Sequence, residues 1–245
     1  MACWEVLRGE RTNARSRRHD MVRPGHVMEN PVLGENRIVF TKTAQQTGGE
    51  SFGLEVFIRA GAPGTPEMVH PLQDESFELL SGSLDFRVGG QERRLEAGES
   101  LLIPKGTPHN WWNESNEETH ALVELRPALR SEELFANIYG LCSEKGTLPN
   151  PLQMAVLFNE HFNEGHLTKP PLLVQKVMFG ALAPVGRLLG YKAHYPKYSG
   201  WETSRGEGAG PPSTRSVMAR GVALVGLLLV ASLFLVRWAR SLSEG

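Results

Sequence analysis

The chain has 245 residues, with 26 Lys+Arg against 27 Asp+Glu, a formal net charge of -1, 40% hydrophobic and 22% charged residues. This length allows one ordinary domain with extensions or two small ones, and this composition excludes a chain disordered throughout. The two cysteines, Cys3 and Cys142, exclude a disulfide framework and a thiolate zinc finger, and the near-zero charge argues against nucleic-acid binding.

Residues 1–23 hold six Arg against Glu5, Glu10 and Asp20, a net of +3. They lack the apolar run of a secretory signal, so 1–29 is expected to be a disordered basic leader. From 30 to 130, nine Lys/Arg face fifteen Asp/Glu, and the chain reads as many short strands. Ile38-Val39-Phe40 and Leu54-Glu55-Val56-Phe57-Ile58 are β-branched or aromatic runs, separated by clusters such as Gly61-Ala62-Pro63-Gly64. Leu84, Phe86 and Val88 alternate with Asp85 and Arg87, the period of a half-buried strand. Gly89-Gly90 predicts a tight hairpin, because glycine takes φ > 0 freely at both central positions. Arg93-Arg94-Leu95, Leu101-Leu102-Ile103 and Ala121-Leu122-Val123 complete the series, which predicts an antiparallel sandwich or barrel over 30–130.

After Pro127 the pattern becomes helical, and 131–198 is expected to be a helical extension. Ser131-Glu132-Glu133 places a cap residue and two acids at a helix start, followed by Leu134, Phe135, Ile138 and Leu141 at helical spacing. Pro151 suits the first turn of a second helix reaching about His161. Pro170-Pro171 opens a third, apolar and basic segment to about Gly190, expected to pack on the barrel, with Pro184 as a kink. Gly and Ser dominate the expected linker at 199–216. Gly221 to Val236 is then sixteen residues without a charge. Extended to 217–238, it predicts one C-terminal transmembrane helix, with the folded part facing the cytosol.

Two segments carry the chemistry. If residues 68–70 are extended, Met68 and His70 share a face. Glu75 shares one with Phe77 and Leu79, and so should point inward. His109, Trp111 and Asn113 share a third face after Pro104-Lys105-Gly106. An inward carboxylate must be paired or metal-bound, because burying it alone is costly. Two His and one carboxylate converging in a barrel match the facial triad of non-haem iron sites.

These segments resemble the two motifs of the cupin superfamily. The second motif, G-x5-P-x-G-x2-H-x3-N, is met by Gly98, Pro104, Gly106, His109 and Asn113. In the first, His70, Glu75 and Gly82 fit, while Met68 stands where a further His is usual and Ala62 where a Gly is usual. The resemblance implies a mainly β, cupin-type jelly-roll barrel with its site at the mouth. It implies a metal held by His70, Glu75 and His109, with Met68, Gln73, Phe77, Trp111 and Asn113 around the pocket. A neutral thioether is a poor ligand for Fe, Mn or Zn and acceptable to Cu(I). Three readings therefore stand: a reduced three-ligand divalent-metal site, a metal-free barrel binding an organic ligand, and a copper site. The matching functions are a metal-dependent oxygenase or isomerase acting on a small molecule, or a non-catalytic ligand-binding or interaction module tethered to a membrane. A third is a degenerate barrel kept for its fold. A homodimer is implied by resemblance alone. Elsewhere, Glu160-His161 to His166 reads as a solvated helix end, His120 as a surface residue and Cys142 as a small core residue.

Overall fold

A computed structural model describes residues 22–199 and 211–226. The first described strands are β1 (Val27–Glu29), β2 (Glu35–Lys42), β3 (Phe52–Ile58) and β4 (Met68–Val69). They are followed by β5 (Asp74–Ser81), β6 (Ser83–Val88), β7 (Gln91–Glu96), β8 (Ser100–Ile103), β9 (His109–Trp112) and β10 (Thr119–Arg126). Then come α1 (Ser131–Lys145), α2 (Pro151–Glu160), β11 (His166–Leu167), α3 (Leu172–Leu188) and α4 (Pro196–Ser199). All strand pairs are antiparallel, and they make two sheets, β1-β2-β3-β10-β5-β8 and β11-β4-β9-β6-β7. This is the β sandwich of a cupin-type jelly roll.

The apolar alternation read from the sequence sets the inner faces. Leu84 and Phe86 are fully buried, and Phe86 meets Phe77 of the other sheet edge-on with ring centroids 4.9 Å apart. Burying a side chain of this size contributes about 1.5–3 kcal/mol. Gly89 and Gly90 take φ of +56° and +82°, and Val88 pairs with Gln91 across the expected two-residue hairpin. In β2 the register slips between Glu35 and Arg37, so Glu35 lies opposite Ile58 and Arg37 opposite Phe57. Asn36 is the extra residue of this bulge. It turns Glu35 to the face of the fully buried Ile58, where simple alternation from Ile38 would have turned it outward.

The extension forms its expected helices with different contacts. Ser131 does not cap α1, whose N-cap is Arg130, because the Ser131 hydroxyl is engaged by Gln73. Asn150 does cap α2, accepting from Gln153 N at 3.0 Å ahead of Pro151. α3 packs on α2 rather than on the barrel: a Cβ on Gly186 would lie 2.7 Å from Val156 Cγ2. Only Gln175, Ala183 and Gly186 of α3 are buried. Cys142 is a free, fully buried core thiol, as expected.

The expected membrane span requires correction. Among the described residues, no helix is long and apolar enough to cross a membrane. Only 214–226 of this region is described as helix. Its start leans on the extension, with Val217 packed against the cluster of Val156, Ala183 and Tyr191. A single-pass C-terminal anchor, with the membrane localisation built on it, is therefore not supported. Residues 227–238 of the expected span, 1–21 of the expected leader and 200–210 of the expected linker lie outside the described residues.

Candidate metal centre

Three turns bring the site together. His70 follows β4, Glu75 is the second residue of β5, and His109 opens β9. Gly106 adopts φ +78° and its N–H donates to His70 O at 2.8 Å. The turn before His109 thus holds the backbone of His70, uniting the two sequence motifs. Glu75, Phe77 and Leu79 are all buried, the inward face expected for β5.

His109 Nε2 lies 3.0 Å and His70 Nε2 3.7 Å from Glu75 Oε2. The two imidazoles stack with centroids 5.3 Å apart. One ligand atom from each of the three residues lies within 4.8 Å of the others, the one such group of His, Cys, Asp or Glu among the described residues. The site is closed: His70, Glu75 and His109 are 9%, 7% and 2% exposed.

The far side of each ring is also fixed. His109 Nδ1 donates to Thr107 O at 2.9 Å, and His70 Nδ1 donates to Glu164 O. A carbonyl only accepts, so each Nδ1 carries a proton and each Nε2 is the atom turned toward Glu75. This is the arrangement by which backbone carbonyls orient metal-ligating histidines. His109 Nε2 is buried and lies in ion-pair contact with Glu75. Two imidazole nitrogens converging on one anionic oxygen fit a divalent metal.

The electrostatics agree. Burial pushes the Glu75 carboxyl up, but the charge of His70 and the close His109 outweigh it and hold the group below the usual range. Burial pushes the His109 imidazole down, but Glu75 prevails and raises it. No lysine or arginine pairs with Glu75 among the described residues.

The other expected pocket residues divide. Met68 is half-buried and pairs directly with His109 across β4 and β9, so the two share a face. Phe77 and Trp111 are buried on the faces of Glu75 and His109, and a Cβ on Gly34 would lie 3.2 Å from the Trp111 ring. Gln73 bonds elsewhere: its Nε2 donates to Pro127 O at 2.7 Å, Ala128 O at 3.1 Å and Ser131 Oγ at 2.8 Å. It joins the β4–β5 turn to α1. Asn113 Nδ2 donates to Arg59 O at 3.2 Å and Glu117 O at 2.9 Å, and its Oδ1 accepts from Ser115 N at 2.9 Å. That residue locks the β9–β10 loop. His120 stacks on Phe57 at the surface, 4.2 Å between centroids.

Two acids escaped the sequence reading. Glu35 is pushed up to about 7, first by burial and then by the charge of Glu75, and the hydroxyl of Tyr139 lies beside it. Only the bulge at Asn36 brings it inward, and a bulge leaves no pattern in one sequence. Glu164 reaches the site through its main chain, which no side-chain motif records.

Residues 54–123 match the family model for the cupin domain. An oxidoreductase of Arthrobotrys oligospora is 29% identical over 152 residues, 55% of this chain and 59% of that protein. The tetracenomycin polyketide synthase protein TcmJ of Streptomyces glaucescens is 36% identical over 75 residues, 30% of this chain and 50% of that protein. The chain thus spans between half and three-fifths of the length of these relatives. Among solved structures, an RmlC-like cupin from Shewanella frigidimarina is 17% identical with a TM-score of 0.36, covering 42% of this chain and 86% of that one. Residues 54–123 therefore carry a cupin domain.

Proposed function

We propose that the cupin domain of this chain holds one divalent metal, Fe, Mn or Zn, on His70, Glu75 and His109, and acts on a small organic molecule as an oxygenase or isomerase. The observation that carries this reading is the convergence of His70, Glu75 and His109, one ligand atom from each within 4.8 Å of the others, with His109 Nδ1 spent on Thr107 O. A divalent ion with three protein ligands supplies Lewis-acid or oxygen chemistry through its remaining positions. The protein's own residues do the rest. Glu75 cancels one of the metal's two charges, the two imidazoles add none, and Phe77 and Trp111 provide an apolar wall. Three relatives bear the name oxidoreductase, one of them as a probable one, which supports the oxidative branch.

The test is metal content by mass spectrometry on the full chain beside His70→Ala and His109→Ala. Near-stoichiometric metal in the wild type and loss in both variants is expected. A wild type that takes up no metal from Fe(II), Mn(II) or Zn(II) overturns the reading. Met68 at the usual His position favours one alternative, a non-catalytic barrel that binds a small ligand, and that overturning result would select it.

A further inference from the structure

We propose that Glu164, in the turn between α2 and β11, is a positioning residue for His70, its carbonyl fixing the imidazole and its carboxylate fixing the carbonyl. The proposal rests on the metal-centre reading above. It places part of the centre in the helical extension, beyond residue 123 where the cupin match ends.

The turn is built around that carbonyl. His70 Nδ1 donates to Glu164 O. Glu164 N and Gly165 N both donate to His161 O, at 3.2 and 3.3 Å. The Glu164 side chain reaches back to the start of α1, where Oε1 accepts from Arg130 N at 3.2 Å. Glu164 is 4% exposed, so this carboxylate is a strut rather than a solvated group. Gly165 leaves room for the ring: a Cβ there would lie 3.3 Å from His70 Nδ1. The chain then pairs with the strand before His70, His166 with Val69 and Leu167 with Met68. Thr168 seals the pairing, its hydroxyl donating to Glu67 Oε2 at 2.7 Å. His70 is thereby held from its own strand and from its ring.

The physical consequence concerns the tautomer. A neutral imidazole ligates through Nε2 only when its proton resides on Nδ1, and a fixed carbonyl enforces that form. With Met68 in place of a third histidine, fewer ligands orient the ion, and the orientation of the remaining two matters more. The carbonyl cannot be mutated directly, but its strut can.

The experiment uses the full chain labelled with 15N-histidine, read metal-free by long-range 15N–1H spectra and then titrated with Co(II). The wild type is expected to show His70 in the Nδ1–H form. In Glu164→Ala, His70 should spread over both tautomers while His109, held by Thr107, keeps its own. The Co(II) dissociation constant should rise roughly 10–100-fold, as other outer-shell losses do. Glu164→Gln keeps an acceptor for Arg130 N and should restore the tautomer and the affinity to within about threefold. An unchanged His70 tautomer in Glu164→Ala overturns the proposal. So does an equal disturbance of His109, which would mark the strut as general support. If the wild type takes up no Co(II), the metal reading falls by itself, and the His70 tautomer alone decides the positioning role.

Discussion

The barrel and the helical extension each set a glutamate between two histidines, and among the described residues only one of these clusters lacks an arginine or lysine partner. In the barrel, Glu75 faces His70 and His109 at 3.7 and 3.0 Å. In the extension, Glu133 of α1 faces His161 at 3.7 Å and His194 at 3.2 Å. Arg130 makes the difference. Its Nη2 donates to Glu133 Oε1 at 2.8 Å and its Nε to Oε2 at 3.2 Å, so both carboxylate oxygens are forked by one guanidinium. Burial pushes Glu133 up, but the two histidines and Arg130 together hold it far below the usual carboxylate range. The second cluster is an internally neutralised joint between α1, the end of α2 and the segment before α4. The first is a charge-deficient pocket. The same residue types thus serve structure where an arginine is present and suit a metal where one is absent.

Neutralising each glutamate in turn separates the two clusters. Glu75→Gln should abolish metal uptake, weakening affinity by more than the ~100-fold upper range of outer-shell losses. Glu133→Gln should leave affinity within a few-fold of wild type. Calorimetric titration with Mn(II) reads both, and equal losses would dissolve the distinction.

The next effect is on stability. Glu133→Gln removes charge-assisted bonds to Arg130 and the ion-pair contacts with two histidines, and should cost about 2–3 kcal/mol in urea unfolding at pH 7. The folded value of Glu133 is depressed, so its contribution is fully present above the unfolded value of about 4.5 and is lost as the pH falls below it. The variant should therefore lose part of the wild-type acid limb. Parallel acid limbs in the two proteins would mean Glu133 is not the group that titrates.

How much of this was legible in the sequence depends on whether a residue acts through its side chain in a regular strand. His70, Glu75 and His109 are of that kind: motif spacing named them, and alternation in β5 turned Glu75 inward. Phe86 and the Gly89-Gly90 hairpin followed from period and turn chemistry alone. His161 was misread as part of a solvated helix end and is fully buried, because Glu133 and His194 come from segments distant in sequence. Gln73, in the turn before Glu75, was expected around the pocket, but its amide is spent on the start of α1. Glu35 depends on a bulge and Glu164 on a carbonyl, and neither writes a pattern. The apolar run at the C-terminus was legible as composition, but composition alone does not establish a span.

Glu35 offers a smaller effect of opposite sign to Glu133. Its folded value of about 7 stands above the unfolded value near 4.5. Its contribution is fully present below about pH 4.5 and is lost as the pH rises through about 7. A shift of that size corresponds to at most about 3 kcal/mol, and screening of a half-buried residue reduces it to about 1–2. Glu35→Gln should therefore be more stable than wild type at pH 8 and no more stable at pH 4.5. A gain that does not change with pH would assign the effect to packing.

The smallest expected change tests whether the barrel site is short of a ligand as well as of a cation. Met68 pairs with His109 across β4 and β9, so its side chain lies on the face of the two imidazoles. Replacing a neutral thioether with an imidazole adds a ligand suited to Zn(II), Mn(II) or Fe(II). Met68→His should tighten Zn(II) binding about tenfold, or ~1.4 kcal/mol, read by competition with a chromophoric chelator. The gain should vanish in Met68→His combined with His109→Ala, because an added histidine cannot replace the inner-sheet ligand it pairs with. If the double variant binds as tightly as Met68→His alone, the new histidine has built a separate surface site. If Met68→His gains nothing, residue 68 lies outside the reach of the ion, and the centre is complete with the three ligands it has.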